Sequence, residues 1–135
     1  MWEKSFSKTF ADVTESQIFK VLSDINNWPS WQEDLEYCQL LGNFEEGEYF
    51  WLKPKKGPKV KIQILEFKAP EYFIDCTKFF GAKMYGIHNI KKTKEGVNIT
   101  TTMRVTGILS FVWRKLVAEN IITVSYTHLT LPTIL

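Results

Sequence analysis

The sequence predicts an α+β fold, in which a curved, seven-stranded antiparallel sheet packs against one long C-terminal helix. Three observations lead to this prediction. A single strand pattern comes first, two short helical segments follow it, and six further strand patterns then run in close succession. The closing element is an apolar helix that has to be covered on more than one side. A sheet with one apolar face and one covering helix leaves room for a ligand cavity between the two layers.

The first elements are a strand and an amphipathic helix. Residues Trp2–Phe10 alternate between large apolar and polar side chains, which is the pattern of a half-buried strand. Thr14 and Gln17 have the spacing of a capping box, and apolar residues at helical intervals follow them, so a helix is predicted over Glu15–Asp24. Pro29 favours the first turn of a second, short helix.

Six strands are predicted after these helices, each bounded by turn residues. Gly81-Ala82 separates the fourth of them from the fifth, and glycine at the first of two central positions favours a type II′ hairpin turn. The six strands cover Leu35–Leu41, Glu48–Lys53, Lys59–Phe67, Glu71–Phe80, Lys83–Lys92 and Val97–Val105.

The closing helix is predicted over Leu109–Ile122, where the apolar stripe is wider than that of a surface helix. The residues Val124–Leu135 read as the translation of a transposon-based sequencing adapter, and the alternative is a genuine C-terminal strand. We therefore expect a single domain over 1–122 and a non-native tail over 123–135 that cuts the helix short.

Composition limits the classes of function. The 135 residues suffice for the core of one domain, and 44% hydrophobic with 24% charged residues is typical of a soluble globular protein. Aromatic residues, at 15%, exceed what a minimal core needs and suit an apolar pocket. The formal net charge of +2 is too small to indicate a nucleic-acid partner.

The same sequence contains no membrane-spanning segment and no signal peptide, so a cytoplasmic protein without stable membrane insertion is expected, with a monomer favoured. Its two cysteines occur singly and are expected to be reduced and structural. No metal-ligand cluster or phosphate-binding loop is recognisable, and no cofactor or metal is expected.

Asp75 and His88 are the candidate catalytic residues. If Gly81-Ala82 forms the turn, Asp75 lies opposite His88 on the inner face, and the next hairpin brings Thr101 near His88. A carboxylate beside an imidazole suits general acid–base chemistry, and it equally suits the anchoring of a ligand's polar end. The alternatives are that the two side chains only satisfy each other, or that a one-residue slip turns them to solvent.

The apolar pocket is expected between the inner face of the sheet and the closing helix. Trp28 and Trp31 either plug one end of the sheet or line this pocket, and the lysines of Lys53–Lys61 form either a solvated sheet edge or an attractive surface for an anionic headgroup or acidic partner. The predicted ligand-binding residues are Phe50, Ile62, Ile64, Phe73, Phe79, Met84, Thr101, Met103, Phe111 and Trp113.

Four segments carry a resemblance to a known superfamily: NNWPSW, GPKVKIQILEF, DCTKFFGAKMYGIH and GILSFVWRKLVAENI. With them the chain resembles the START-like (SRPBCC, helix-grip) superfamily over Trp2–Ile122, and within it the polyketide cyclase/dehydrase and lipid transport group. The resemblance implies a seven-stranded sheet that grips the last helix, with a tunnel between them. In that superfamily the helix runs on for several more turns, and here the sequence departs from the pattern.

Three functions follow from the residues and the resemblance, in decreasing order of preference. The first is binding or transport of a small hydrophobic ligand, such as a lipid, a polyketide or an aromatic metabolite. The second is an enzyme similar to polyketide cyclases and dehydratases, with His88 as general acid or base and Asp75 fixing its tautomer. The third is a protein-interaction module, as in the chaperone-activating branch of the superfamily.

Overall fold

The computed structural model describes residues 1–113 and 115, with the side chain of Trp113 excepted. Most of the helix predicted over Leu109–Ile122, and all of the tail predicted over 123–135, lies outside the described residues. In chain order the elements are β1 (Trp2–Phe10), α1 (Glu15–Ser23), a 3-10 helix (Ile25–Ser30), β2 (Leu35–Leu40), β3 (Tyr49–Pro54), β4 (Val60–Lys68), β5 (Tyr72–Phe79), β6 (Ala82–Thr93), β7 (Gly96–Thr106) and α2 (Ser110–Trp113).

The seven strands form one antiparallel sheet in the order β1-β7-β6-β5-β4-β3-β2. Its N-terminal strand pairs with its last strand, from Trp2 opposite Val105 to Phe10 opposite Val97. The sheet is curled into a half-barrel, which confirms the α+β class and the seven strands predicted from the sequence. Because β1 and β2 are the edge strands, the lysine-rich β3–β4 hairpin lies inside the sheet, and the prediction that it forms a sheet edge is wrong.

The helix α1 begins at the predicted capping box. Thr14 Oγ1 accepts from the backbone N–H of Gln17 at 3.1 Å, and Gln17 Oε1 accepts from the backbone N–H of Thr14 at 2.8 Å. Ile18, Phe19 and Leu22 are buried, so the apolar face of α1 covers one end of the sheet.

The second helical segment begins earlier than predicted. It is a 3-10 helix that starts at Ile25, and Pro29 lies near its end instead of at its first turn. The indole Nε1–H of Trp28 donates to the backbone carbonyl of Leu22 at 3.1 Å, which ties this segment to α1. Trp28 and Trp31 both belong to the main apolar core, in agreement with a role as plugs.

The β5–β6 hairpin turns at Phe80-Gly81, one residue before the predicted turn. Phe79 pairs with Ala82, and Gly81 occupies the second central position with a φ of 72°, a left-handed conformation that glycine adopts without strain. Contacts with the chain before α2 help to fix this turn. The backbone N–H of Leu109 donates to the Gly81 carbonyl at 3.0 Å, and a Cβ at position 81 would lie 2.8 Å from Leu109 Cδ1.

The inner face of the sheet carries two apolar clusters. The larger one includes Phe50, Phe73 and Ile99 and lies beneath α1 and the 3-10 helix. The smaller one is formed by Ala82, Met84, Met103 and Val105. Both cysteines are buried and free, in agreement with the predicted structural thiols.

Candidate functional site

Four polar side chains lie between the two apolar clusters on the inner face. Along β5, β6 and β7 alike, the inward-facing residue changes from apolar to polar and back to apolar within a few positions. We call this set the polar belt; its members are Asp75, Thr77, His88 and Thr101. The belt is the largest departure from apolar composition on the described inner face, and burying polar groups is costly unless they are paired.

Asp75 and His88 meet diagonally across the hairpin. Asp75 pairs with Gly86 and His88 pairs with Phe73, so the predicted direct pairing of Asp75 with His88 is wrong by two residues. A shift by two keeps every side chain on its predicted face, because side chains alternate with a period of two. His88 Nε2 therefore still lies 3.0 Å from Asp75 Oδ2.

Gly86 makes room for this diagonal contact. A Cβ at position 86 would lie 2.7 Å from Asp75 Oδ1 and 2.9 Å from Oδ2, closer than real Cβ contacts. The missing side chain thus creates the space in which the Asp75 carboxylate lies. The Phe73 ring packs beside the imidazole of His88, with 5.2 Å between the ring centres, and restricts it on one side.

Both nitrogens of His88 have partners. Because a carboxylate oxygen only accepts, Nε2 carries the hydrogen that is donated to Asp75. In the neutral imidazole, Nδ1 then accepts from the hydroxyl of Thr101 at 3.1 Å. The contact between Thr101 and His88 predicted from the sequence is present, since these residues pair directly on β6 and β7.

The side chains of His88 and Asp75 are 17% and 13% exposed, so each is largely withdrawn from water. Within the described residues, Asp75 Oδ1 has no hydrogen-bond partner, whereas Oδ2 is held by His88. Thr77 is 2% exposed as a residue, and its buried hydroxyl likewise has no partner among the described residues. Leaving a buried hydroxyl unpaired costs about 1–3 kcal/mol.

Thr77 is not among the site residues predicted from the sequence. A usable signal was present, because Thr77 lies two residues after Asp75 and therefore shares its face of β5. A threonine among inward-facing apolar residues is common in cores, and only its missing partner marks it as unusual.

The predicted ligand-binding residues fall into three groups. Phe79 is half-buried and packs against the smaller cluster. Phe111 is 60% exposed, which does not place it with the inner face, and the side chain of Trp113 lies outside the described residues. The remaining members are buried on the inner face: Phe50, Ile62, Ile64, Phe73, Met84, Thr101 and Met103.

Two surface cavities are lined by described residues, and neither lies on the inner face. One, of about 280 Å³, lies on the outer face between Tyr49, Gln63 and Cys76. The other, of about 330 Å³, lies beside α1 near Phe19 and Pro70. The tunnel expected between the sheet and the closing helix stays a prediction, because the helix that would form its second wall lies outside the described residues.

Neither cysteine provides a thiolate near neutral pH. Burial raises the pKa of the Cys38 thiol to about 12. Burial is also the main cause that raises the pKa of Cys76, and the negative charge of Asp75 adds to it. Nucleophilic chemistry by a thiolate is therefore disfavoured at both positions.

The lysines of the β3–β4 hairpin contact neighbours on their own surface. Lys59 Nζ lies 4.4 Å from the centre of the Trp51 ring, and Lys61 stacks 5.6 Å from the same ring. Lys53 Nζ lies 3.1 Å from a carboxylate oxygen of Glu36. These contacts describe a packed, solvated surface, although this surface is not the sheet edge that was predicted.

Metal clusters and membrane-spanning helices are absent from residues 1–113 and 115. Within that part of the chain, no group of three or more His, Cys, Asp or Glu side chains is placed to hold a metal ion. No helix formed by the same residues has the length and apolar character needed to cross a bilayer.

No protein-family profile matches the chain, and no curated protein is significantly similar to it. Solved structures are similar at low identity. A START superfamily protein from Mycobacterium smegmatis gives a TM-score of 0.65 at 13% identity, over 89% of this chain and 88% of that one. The major latex-like protein 151 from Panax ginseng gives a TM-score of 0.67 at 11% identity, over 96% and 98%.

A protein from Rhodobacter sphaeroides gives a TM-score of 0.69 at 13% identity, over 93% of this chain and 88% of that one. Identities this low establish a shared fold and leave activity open. The resemblance found in the sequence is confirmed at that level, and the chain has the START-like, helix-grip fold.

Proposed function

We propose that the protein binds a small, largely apolar ligand against the inner face of its sheet, with the polar belt orienting the ligand's polar end. The observation that carries this proposal is the position of the belt between two apolar clusters. Binding sites for apolar small molecules typically combine an apolar lining with a few convergent polar groups.

The composition of the inner face supports this proposal over a purely structural belt. A core optimised for stability alone would replace the belt with apolar residues, because a buried polar network is at best neutral relative to well-packed hydrophobic side chains. The unpaired Thr77 hydroxyl makes the belt more costly still. A ligand that forms the missing hydrogen bonds would offset the cost of burying these polar groups.

The proposal is tested by recovering the protein from cells and by native mass spectrometry, which should show a co-purifying apolar compound. A second measurement is saturable binding of the neutral dye Nile red. Met103→Phe enlarges a buried side chain on the inner face and should weaken dye binding, whereas Thr102→Phe adds the same ring on the outer face and should not. An absent compound together with non-saturable dye binding would contradict the proposal.

An enzyme similar to polyketide cyclases and dehydratases is the second candidate, and one observation favours it. Thr101, His88 and Asp75 form a continuous chain with separations of 3.1 Å and 3.0 Å, the arrangement in which a base is oriented by a carboxylate. Asp75 holds the tautomer in which Nδ1 is the basic nitrogen, so proton transfer to His88 requires the Thr101 hydroxyl to turn aside or to relay the proton.

His88→Ala tests the enzyme candidate. For a substrate identified by co-purification, turnover should fall by about 10²–10⁴-fold while ligand affinity is retained. His88→Gln keeps a polar side chain and serves as the matched variant. Equal losses of affinity and turnover would assign His88 to binding and reject acid–base catalysis.

A further inference from the structure

We infer that the polar end of the ligand is a neutral hydroxyl group, of an alcohol or a phenol, that donates to Asp75 Oδ1 and accepts from Thr77 Oγ1. This inference rests on the proposed ligand binding and specifies the class of ligand. It follows from which atoms of the polar belt are already paired and which are not.

Asp75 offers the ligand a hydrogen-bond acceptor. Its Oδ2 accepts from His88 Nε2, and Oδ1 has no partner among the described residues. A carboxylate oxygen accepts hydrogen bonds and does not donate them, so the group that faces Oδ1 has to carry a hydrogen. A fatty-acid carboxylate in the same place would bring two negative charges together in surroundings that water screens poorly.

Thr77 adds an independent requirement. Its hydroxyl is buried and unpaired. Thr77 lies two residues from Asp75 on the same face of β5, with about 7 Å between the two Cα atoms. An ammonium group would satisfy Asp75, but it has no lone pair to accept from Thr77. A hydroxyl both donates and accepts, so one hydroxyl oxygen that lies between the Asp75 and Thr77 side chains can bond to both.

The other members of the belt are positioning residues. His88 is fixed between Asp75 and Thr101, and both of its nitrogens are already used. Its hydrogen bond to Oδ2 directs the other carboxylate oxygen away from the imidazole. Gly86 leaves open the space in which the carboxylate lies.

The test is displacement of Nile red by three probes with the same ten-carbon chain: 1-decanol, its methyl ether and decanoate, all at pH 7.5. The ether keeps the acceptor and loses the donor, so it separates hydrogen bonding from apolar contact. The wild-type protein should bind 1-decanol about tenfold more tightly than the ether, the discrimination expected for one hydrogen bond to a charged acceptor. Decanoate should bind more weakly than 1-decanol by at least the same factor.

Two variants assign the effect to its residues. Asp75→Ala should bring the decanol-to-ether ratio close to one. Thr77→Val removes the unpaired hydroxyl without changing the shape of the side chain, and it should weaken 1-decanol about fivefold and the ether by a similar factor, because both probes keep the acceptor oxygen. Thr102→Val on the outer face, where the hydroxyl bonds to Ser5, is the matched control and should change neither.

The outcomes separate this inference from the proposed function. Failure of Nile red and of all three probes to bind would reject both. Equal binding of 1-decanol and its ether, or preferred binding of decanoate, would overturn the hydroxyl assignment and leave ligand binding intact. If Asp75→Ala does not fold in circular dichroism, the decanol-to-ether ratio of the wild type and the effect of Thr77→Val decide the question.

Discussion

Replacing Gly86 by alanine should break the contact between Asp75 and His88 without touching either residue. The added Cβ would lie 2.7 Å from Asp75 Oδ1, 2.9 Å from Oδ2 and 3.1 Å from Cγ, so the whole carboxylate has to move. Asp75 is buried between neighbouring strands, and its short side chain offers few alternative positions. The hydrogen bond to His88 at 3.0 Å is therefore expected to be lost.

The expected magnitude is the difference between two effects. Loss of a hydrogen bond that involves a charged group costs about 1.5–3 kcal/mol, and alanine is favoured over glycine in a strand by about 0.5–1 kcal/mol. Gly86→Ala should therefore lower the free energy of unfolding by about 0.5–2.5 kcal/mol, measured by urea denaturation. In an Asp75→Ala background the clash is absent, and the same substitution should be neutral or stabilising.

Gly42→Ala is a matched control for this experiment. A Cβ there would lie 2.5 Å from Glu48 Oε2, an equally close approach to a carboxylate. Gly42 is exposed and the Glu48 side chain is longer, so its carboxylate can turn away at the cost of no more than the bond that Oε1 accepts from the Tyr49 backbone N–H. If Gly86→Ala has the same effect in the wild-type and Asp75→Ala backgrounds, Gly86 does not position the carboxylate and the reasoning is refuted.

Three further predictions concern stability. Thr14→Ala removes the N-cap of α1 and should lower the free energy of urea unfolding by about 1 kcal/mol, whereas Thr14→Ser should retain most of it. Trp28→Phe leaves the Leu22 carbonyl without its indole donor and should cost about 1–3 kcal/mol, which a value near zero would contradict. Burial raises the pKa of Cys38 from 9.0 to about 12, so above pH 9 the unfolded chain releases a proton that the folded chain retains. Stability should then fall by up to about 1.4 kcal/mol per pH unit between pH 9 and 12, and Cys38→Ala should reduce this slope in urea titrations at successive pH values.

The alternation of apolar and polar side chains predicted the strands well, because the sheet has one apolar and one polar face. The bounds of all seven strands agree within one residue at each end, and the face of Asp75, His88 and Thr101 is as predicted. The register of the β5–β6 hairpin differs from the prediction, because Gly81 is compatible with either central position of a two-residue turn. The Leu109 contact with the observed turn is distant in the sequence and invisible to local patterns.

Hydrogen bonding in the candidate site was less predictable than its position. Because side chains alternate between the two faces of a strand, the sequence places Thr77 on the same face as Asp75. Whether the Thr77 hydroxyl has a hydrogen-bond partner depends on the neighbouring strands. The role of Gly86 likewise needs the register, because it becomes evident only when the glycine is seen opposite Asp75. A two-residue error preserves faces and changes neighbours, so it left the site recognisable and its geometry wrong.

The pairing of β1 with β7 also affects how the chain is made. Trp2 leaves the ribosome long before its partner Val105, which is translated last among the paired residues of these strands. At about 5–20 residues per second, several seconds pass between the synthesis of β1 and that of β7. During this interval β1 has no strand with which to pair. The polar residues Glu3, Ser5 and Ser7 interrupt the apolar side chains of β1 and discourage premature association of nascent chains during this interval.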